Sequence, residues 1–133
     1  MIAVDTNVVV RLMVEDDERQ VGQALRVLEE AGERREPVLV TDIVLAEVEW
    51  VLESAYAVPR RRIVIALQAL LADERFTFED RARAKTALDL YQRRKGDLAD
   101  YLLGLRGEEA GARTTFTFDG GLRGDSRFTV LKG

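Results

Sequence analysis

The chain has 133 residues, 47% hydrophobic and 33% charged, with a formal net charge of −4. That length predicts one domain over residues 1–133, able to bury roughly two-thirds of its unfolded surface. Cysteine and histidine are both absent, which excludes disulfides, thiolate nucleophiles, zinc–thiolate sites and the commonest general base. Any metal would be held by oxygen, which favours magnesium, manganese or calcium. An acidic chain has no global basic field for nucleic acid, so such a partner needs a local basic patch or metal ions. Apolar runs stop short of the ~20 residues of a membrane span. With no leader-like pattern either, the expectation is a cytoplasmic protein with no membrane partner.

In chain order, Ile2-Ala3-Val4 is a short apolar run ended by Asp5-Thr6-Asn7, which reads as a buried strand with a polar stop. Val8 to Val14 predicts a short helix. Asp16-Asp17 opens another, with Val21, Ala24, Leu25, Leu28 and Ala31 at helical spacing and Gly32 as its stop. Pro37 to Val40 predicts a second strand, and Thr41 and Asp42 are N-cap candidates for a helix to about Tyr56. Pro59 sits where a helix starts, with Ile63, Ala66, Leu67, Leu70 and Leu71 facing inward. Phe76-Thr77-Phe78 is a strand candidate. The next helix turns Ala84, Ala87, Leu88 and Tyr91 inward and ends near Gly96. Asp97 starts a helix with Leu98, Tyr101, Leu102 and Leu105 as its stripe. Arg113 to Phe118 is a strand stopped by Asp119-Gly120-Gly121, and Phe128 to Leu131 is the last one. This alternation predicts an α/β fold: a parallel sheet with helices on both faces and the first strand at its centre.

Four acids stand out, each with an ordinary alternative. Asp5 ends the first strand and could simply cap the next helix. Glu47 has Ile43, Val44, Trp50 and Val51 three and four residues away; these share its helix face. An ionised carboxylate among apolar neighbours is costly unless paired or metal-bound. Its alternative is the edge of the stripe, reaching water. Glu49 and Glu53 read as the solvent side. Asp97 and Asp100 are three apart and could be a capping pair. They share a face with Gly104, which predicts room for a ligand or a backbone approach. Asp119 ends a strand and could be an ordinary Asp-Gly turn; Asp125 reads as a turn residue. In a doubly wound sheet the carboxyl ends of strands converge at a crevice. Carboxylates gathered there repel one another, and divalent cations relieve this. Phosphodiester hydrolysis with metal-activated water suits such a site and needs no histidine.

The blocks IAVDTNVVVRLMVEDD, LVTDIVLAEVEWVL, KGDLADYLLG and TTFTFDGGL resemble, in the right order, those of PIN-domain ribonucleases, in particular VapC-like toxins of toxin–antitoxin pairs. The resemblance covers nearly the whole chain. It implies a three-layer α/β/α domain with a central parallel sheet. It implies Asp5, Glu47, Asp97 and Asp119 as catalytic, metal-holding quartet, with Asp100 a supporting acid and Thr6 positioning water or a carboxylate. It further implies Mg²⁺ or Mn²⁺, endonucleolytic hydrolysis of RNA to a 5′-phosphate and a 3′-hydroxyl, homodimerisation and inhibition by a small antitoxin. Gly120-Gly121 departs from the bulkier residues often found after the last acid.

Arg60-Arg61-Arg62 lies at a helix start, where the dipole disfavours cations, so the three are candidates for RNA phosphate contact. Arg93-Arg94-Lys95 lies at a helix end, where the dipole favours them, and reads as structural. A phosphotransferase of the haloacid dehalogenase type needs a second aspartate two residues after the first; Asn7 stands there. The remaining alternatives are an inert PIN-like module that holds RNA or protein, and a purely structural protein. The four acids weigh against the first, and Glu47 weighs against the second.

Overall fold

A computed structural model describes residues 1–133. Three parallel strands pair in the order β1 (Ile2–Ala3), β2 (Val38–Val40) and β3 (Phe76–Phe78). A second parallel pair joins β4 (Thr115–Thr117) to β5 (Phe128–Val130). The six helices are α1 (Thr6–Val14), α2 (Glu18–Glu33), α3 (Asp42–Ser54), α4 (Arg60–Ala72), α5 (Arg81–Arg93) and α6 (Leu98–Glu109). Every predicted element is present, and the fold is the expected α/β class with parallel pairing. One expectation changes: β1 is not hydrogen-bonded on both sides but lies at the edge of its sheet. The strand after α6, β4, pairs with β5 in a separate sheet and so does not flank β1.

Local chemistry explains the boundaries. Asp5, Asp17, Thr41 and Asp80 each cap a helix through a side-chain oxygen that accepts a backbone N–H, satisfying a donor the helix leaves orphaned. Pro59 occupies the start of α4, where its missing N–H costs nothing. Apolar faces from β2, β3, β5 and the six helices merge into one contiguous cluster of 29 buried residues.

Asp42 has a larger role than the expected cap. Thr41 is the cap, and Asp42 is buried with its Oδ2 accepting from Arg83 Nη2 at 2.8 Å and Nε at 3.1 Å. Arg83 Nη1 also reaches Glu109 at 2.7 Å, and Arg106 approaches Asp42 at 3.5 Å. Burying a carboxylate is costly without such partners, and this network fixes α3, α5 and α6 to one another.

Candidate active site

Three of the expected acids, Asp5, Asp97 and Asp119, lie where strands stop and helices start, and Glu47 lies within α3. Asp5 follows β1; its Oδ1 accepts from the Val8 N–H at 3.1 Å, which orients the carboxylate. It opens onto a cleft of about 320 Å³ between α1 and α2, shared with Arg11, Gln20 and Gln23. Thr6 is the first residue of α1 and half-buried. Asp119 follows β4 and starts a 3-10 turn at Gly120–Leu122, with Oδ1 accepting from the Gly121 N–H at 2.8 Å. Asp97 caps α6, and its own N–H donates to Asp100 Oδ2 at 2.9 Å. The capping readings therefore hold for Asp5, Asp97 and Asp119. Burial, then Asp100 and Glu53, pushes the Asp97 carboxyl up from its usual range, with Arg60 opposing and Asp119 adding to it.

The reading of the α3 face needs correction. Glu47 is exposed, as are its expected apolar companions Ile43 (67%) and Trp50 (63%). Glu49, expected on the solvent side, is 1% exposed. The buried stripe of α3 runs through Val44, Leu45, Val48 and Leu52, and Glu49 stands one turn from Leu45 along it. The stripe was legible in Val44-Val48-Leu52 spacing; Ile43 and Trp50 drew the assignment to the wrong side.

Glu49 Oε1 accepts from the Leu98 N–H, the first of α6, at 2.9 Å. Its Oε2 is buried with no hydrogen-bond partner. Burial is the main cause that pushes this carboxyl up to about 7; the Leu98 N–H opposes, and Glu53 and Asp97 add to it. Glu49, Glu53 and Asp97 are the one group of three acids that brings an oxygen from each within 4.8 Å of the others. Of the expected quartet this group contains Asp97; Asp5, Glu47 and Asp119 lie outside it. Beside it the Tyr91 hydroxyl is fully buried without a partner, and burial together with Glu49 pushes it up to about 12. An orphaned carboxylate oxygen such as Glu49 Oε2 suits a hard divalent cation.

The PIN domain family model matches residues 2–124. The chain belongs to the PIN domain family. Among curated proteins it is similar to the VapC ribonuclease of Aquifex aeolicus (strain VF5), 26% identical over 118 residues that cover 89% of this chain and 87% of that protein. No solved structure matches it.

Within this PIN domain the arginines divide differently from expectation. Arg60 does not present itself to a phosphate: it donates to the carbonyls of Tyr91, Arg94 and Gly96 and stacks over the Tyr91 ring at 4.1 Å. Those carbonyls belong to the end of α5 and the loop after it, and the negative dipole end of the helix attracts a cation. Arg60 is thus a tertiary clamp, while Arg61 and Arg62 are exposed. Gly104 leaves no ligand space, because a Cβ there would lie 2.7 Å from Phe128 Cε2; the close approach is that of β5. Asp125 is buried and holds Arg127 through its backbone N–H at 3.0 Å and its guanidinium at 3.3 Å, a structural turn as expected. No helix is long and apolar enough to cross a membrane.

Proposed function

We propose that this PIN domain protein is a metal-dependent endoribonuclease, the toxin of a toxin–antitoxin pair. In this reading it works as a cytoplasmic homodimer and is held inactive by a small cognate antitoxin. The supporting observation is the gathering of negative charge at the start of α6, where Asp97 feels Asp100, Glu53 and Asp119. It occurs in a chain matched by the PIN family model over residues 2–124. The similarity to a VapC ribonuclease supports RNA as the substrate class.

The residues fit a divalent metal. The four acids proposed to hold it offer only carboxylate oxygens, and Asp97, one of them, shares a cluster with Glu53 and with Glu49, whose Oε2 is buried without a hydrogen-bond partner. Asp5, Glu47, Asp97 and Asp119 are the proposed holders of Mg²⁺ or Mn²⁺. Such an ion supplies positive charge that eases deprotonation of an attacking water and offsets charge on the phosphate. The chain's own part is orientation. Hydrogen bonds from Val8 and Gly121 fix one oxygen each of Asp5 and Asp119, leaving the other free. Asp100 and Glu49 grip the Asp97 and Leu98 N–H groups and so fix where α6 begins. Thr6, next to Asp5, is the hydroxyl that positions water or a carboxylate. Asp97 and Glu49 bind protons more readily than isolated carboxyls, which is the electrostatic tension a cation would relieve.

The test is cleavage of a mixed RNA pool by purified protein freed of copurifying antitoxin. Asp5→Asn and Asp119→Asn each lower the rate by more than about a hundredfold, beyond the cost of losing a merely supporting group. Cleavage unchanged by both substitutions sinks the mechanism. RNA binding without cleavage in either metal means an inert PIN-like binding module.

A further inference from the structure

A cleft near these acids is mostly basic, although the chain as a whole is acidic. It holds about 680 Å³ and is lined by Arg93, Arg94, Lys95 and Arg123, by Gly120 and Gly121, and by one acid, Asp125, which is buried and paired with Arg127. All four cationic residues are exposed. Arg93 pairs with Asp89 at 2.7 Å, and Arg94 donates to the Gly124 carbonyl at 3.3 Å. Lys95 and Arg123 have no acidic partner within 4.0 Å. The α5 dipole accounts for cations at 93–95, but Arg123 lies on the turn after Asp119 and has no such explanation.

The cleft adjoins the acids through the backbone. Lys95 stands two residues before Asp97, and Gly120-Gly121 follows Asp119 directly. A side chain at 121 would meet Asp119 Oδ1 at 3.1 Å and Lys95 Cβ at 3.9 Å; one at 120 would meet Arg123 Nη1 at 3.0 Å. The two glycines therefore keep the space between Lys95 and Arg123 open beside Asp119. Free cations in an open groove next to acids are an arrangement that tracks a polyanion while the acids act on it.

We propose that the cleft walled by Arg93, Arg94, Lys95 and Arg123 carries the backbone of single-stranded RNA towards Asp97 and Asp119. Lys95 and Arg123 make the principal phosphate contacts. This deepens the ribonuclease reading and rests on it for the identity of the polyanion. Single-stranded rather than duplex RNA is favoured because a scissile phosphate must reach acids held against the protein backbone.

The test measures binding apart from cleavage. Fluorescence anisotropy with a short mixed-sequence single-stranded RNA is recorded in EDTA at several salt concentrations. Lys95→Glu/Arg123→Glu is compared with Arg26→Glu/Arg34→Glu, exposed arginines on or beside α2 that give the same change in net charge. The cleft variant weakens binding and flattens the log–log salt dependence by about 0.7 for each phosphate no longer neutralised; the control does neither. Equal affinity and slope in wild type and cleft variant overturn the proposal. So does loss of binding to a polyglutamate peptide with RNA binding intact, which would make the cleft a seat for an acidic protein segment. Cleavage by the wild type in Mn²⁺, scored separately, decides the nuclease reading whichever way binding falls. Unchanged far-UV circular dichroism confirms that the variants fold.

Discussion

Glu49 illustrates what one buried carboxyl does to the molecule. In the metal-free folded chain, burial raises its pKa from 4.5 to about 7, so the folded state holds a proton that the unfolded state has released across that range. Stability from this group is full below about pH 4.5 and is lost as pH rises through about 7. Urea unfolding in EDTA should show this decline. Glu49→Gln keeps an acceptor for the Leu98 N–H but does not titrate, so its stability falls less over the same window; parallel curves would contradict the assignment. A second residue-level prediction concerns Gly104. Its Cβ would overlap Phe128, so Gly104→Ala costs about 1–3 kcal/mol by overpacking, read as a lowered melting temperature. The sequence showed both residues but not their surroundings. Glycine beside two acids predicted either ligand space or a close approach, and Phe128 on β5, distant in sequence, fills that position.

At the scale of helices and strands, local patterning was a good guide and tertiary contact was not. Phe76–Phe78 and the capped starts at Asp17 and Thr41 follow from alternation and N-cap chemistry, which act within a few residues. The α3 face misled because Ile43 and Trp50 are apolar yet exposed, while a carboxylate is buried. Spacing locates a stripe, but it cannot price a buried acid that takes an N–H from another helix. The same limit hid Arg60, whose three acceptors come from the end of α5 and the loop after it. Arg60→Ala should therefore cost about 2 kcal/mol or more in stability, whereas Arg61→Ala, on the exposed side, should leave the melting temperature unchanged. Equal melting temperatures for the two variants would count against the clamp. Asp42→Asn, which weakens the tie between α3 and Arg83 but leaves Arg83 its pairs with Glu109 and Asp80, should cost about 1.5–3 kcal/mol by chemical denaturation.

For the molecule as a whole, charge is separated rather than balanced. Acids collect at the start of α6 and after β4, with a cationic cleft beside them, in a chain whose net charge is −4. The positions of Asp5, Asp97 and Asp119 were legible, since each marks the stop of a strand or the start of a helix. Their mutual distances were not, because those depend on how α3, α5 and α6 pack, which the Asp42–Arg83 network and the Arg60 clamp determine. The central claim is that these carboxylates work with a divalent cation to hydrolyse RNA. Its most direct test is to follow RNA cleavage by the purified, antitoxin-free protein as Mn²⁺ or Mg²⁺ is titrated in from EDTA, and to assay the new ends. The account predicts no cleavage in EDTA, saturable activation by metal and products bearing 5′-phosphates. Cleavage undiminished in EDTA, or products ending in 2′,3′-cyclic phosphate, would contradict it.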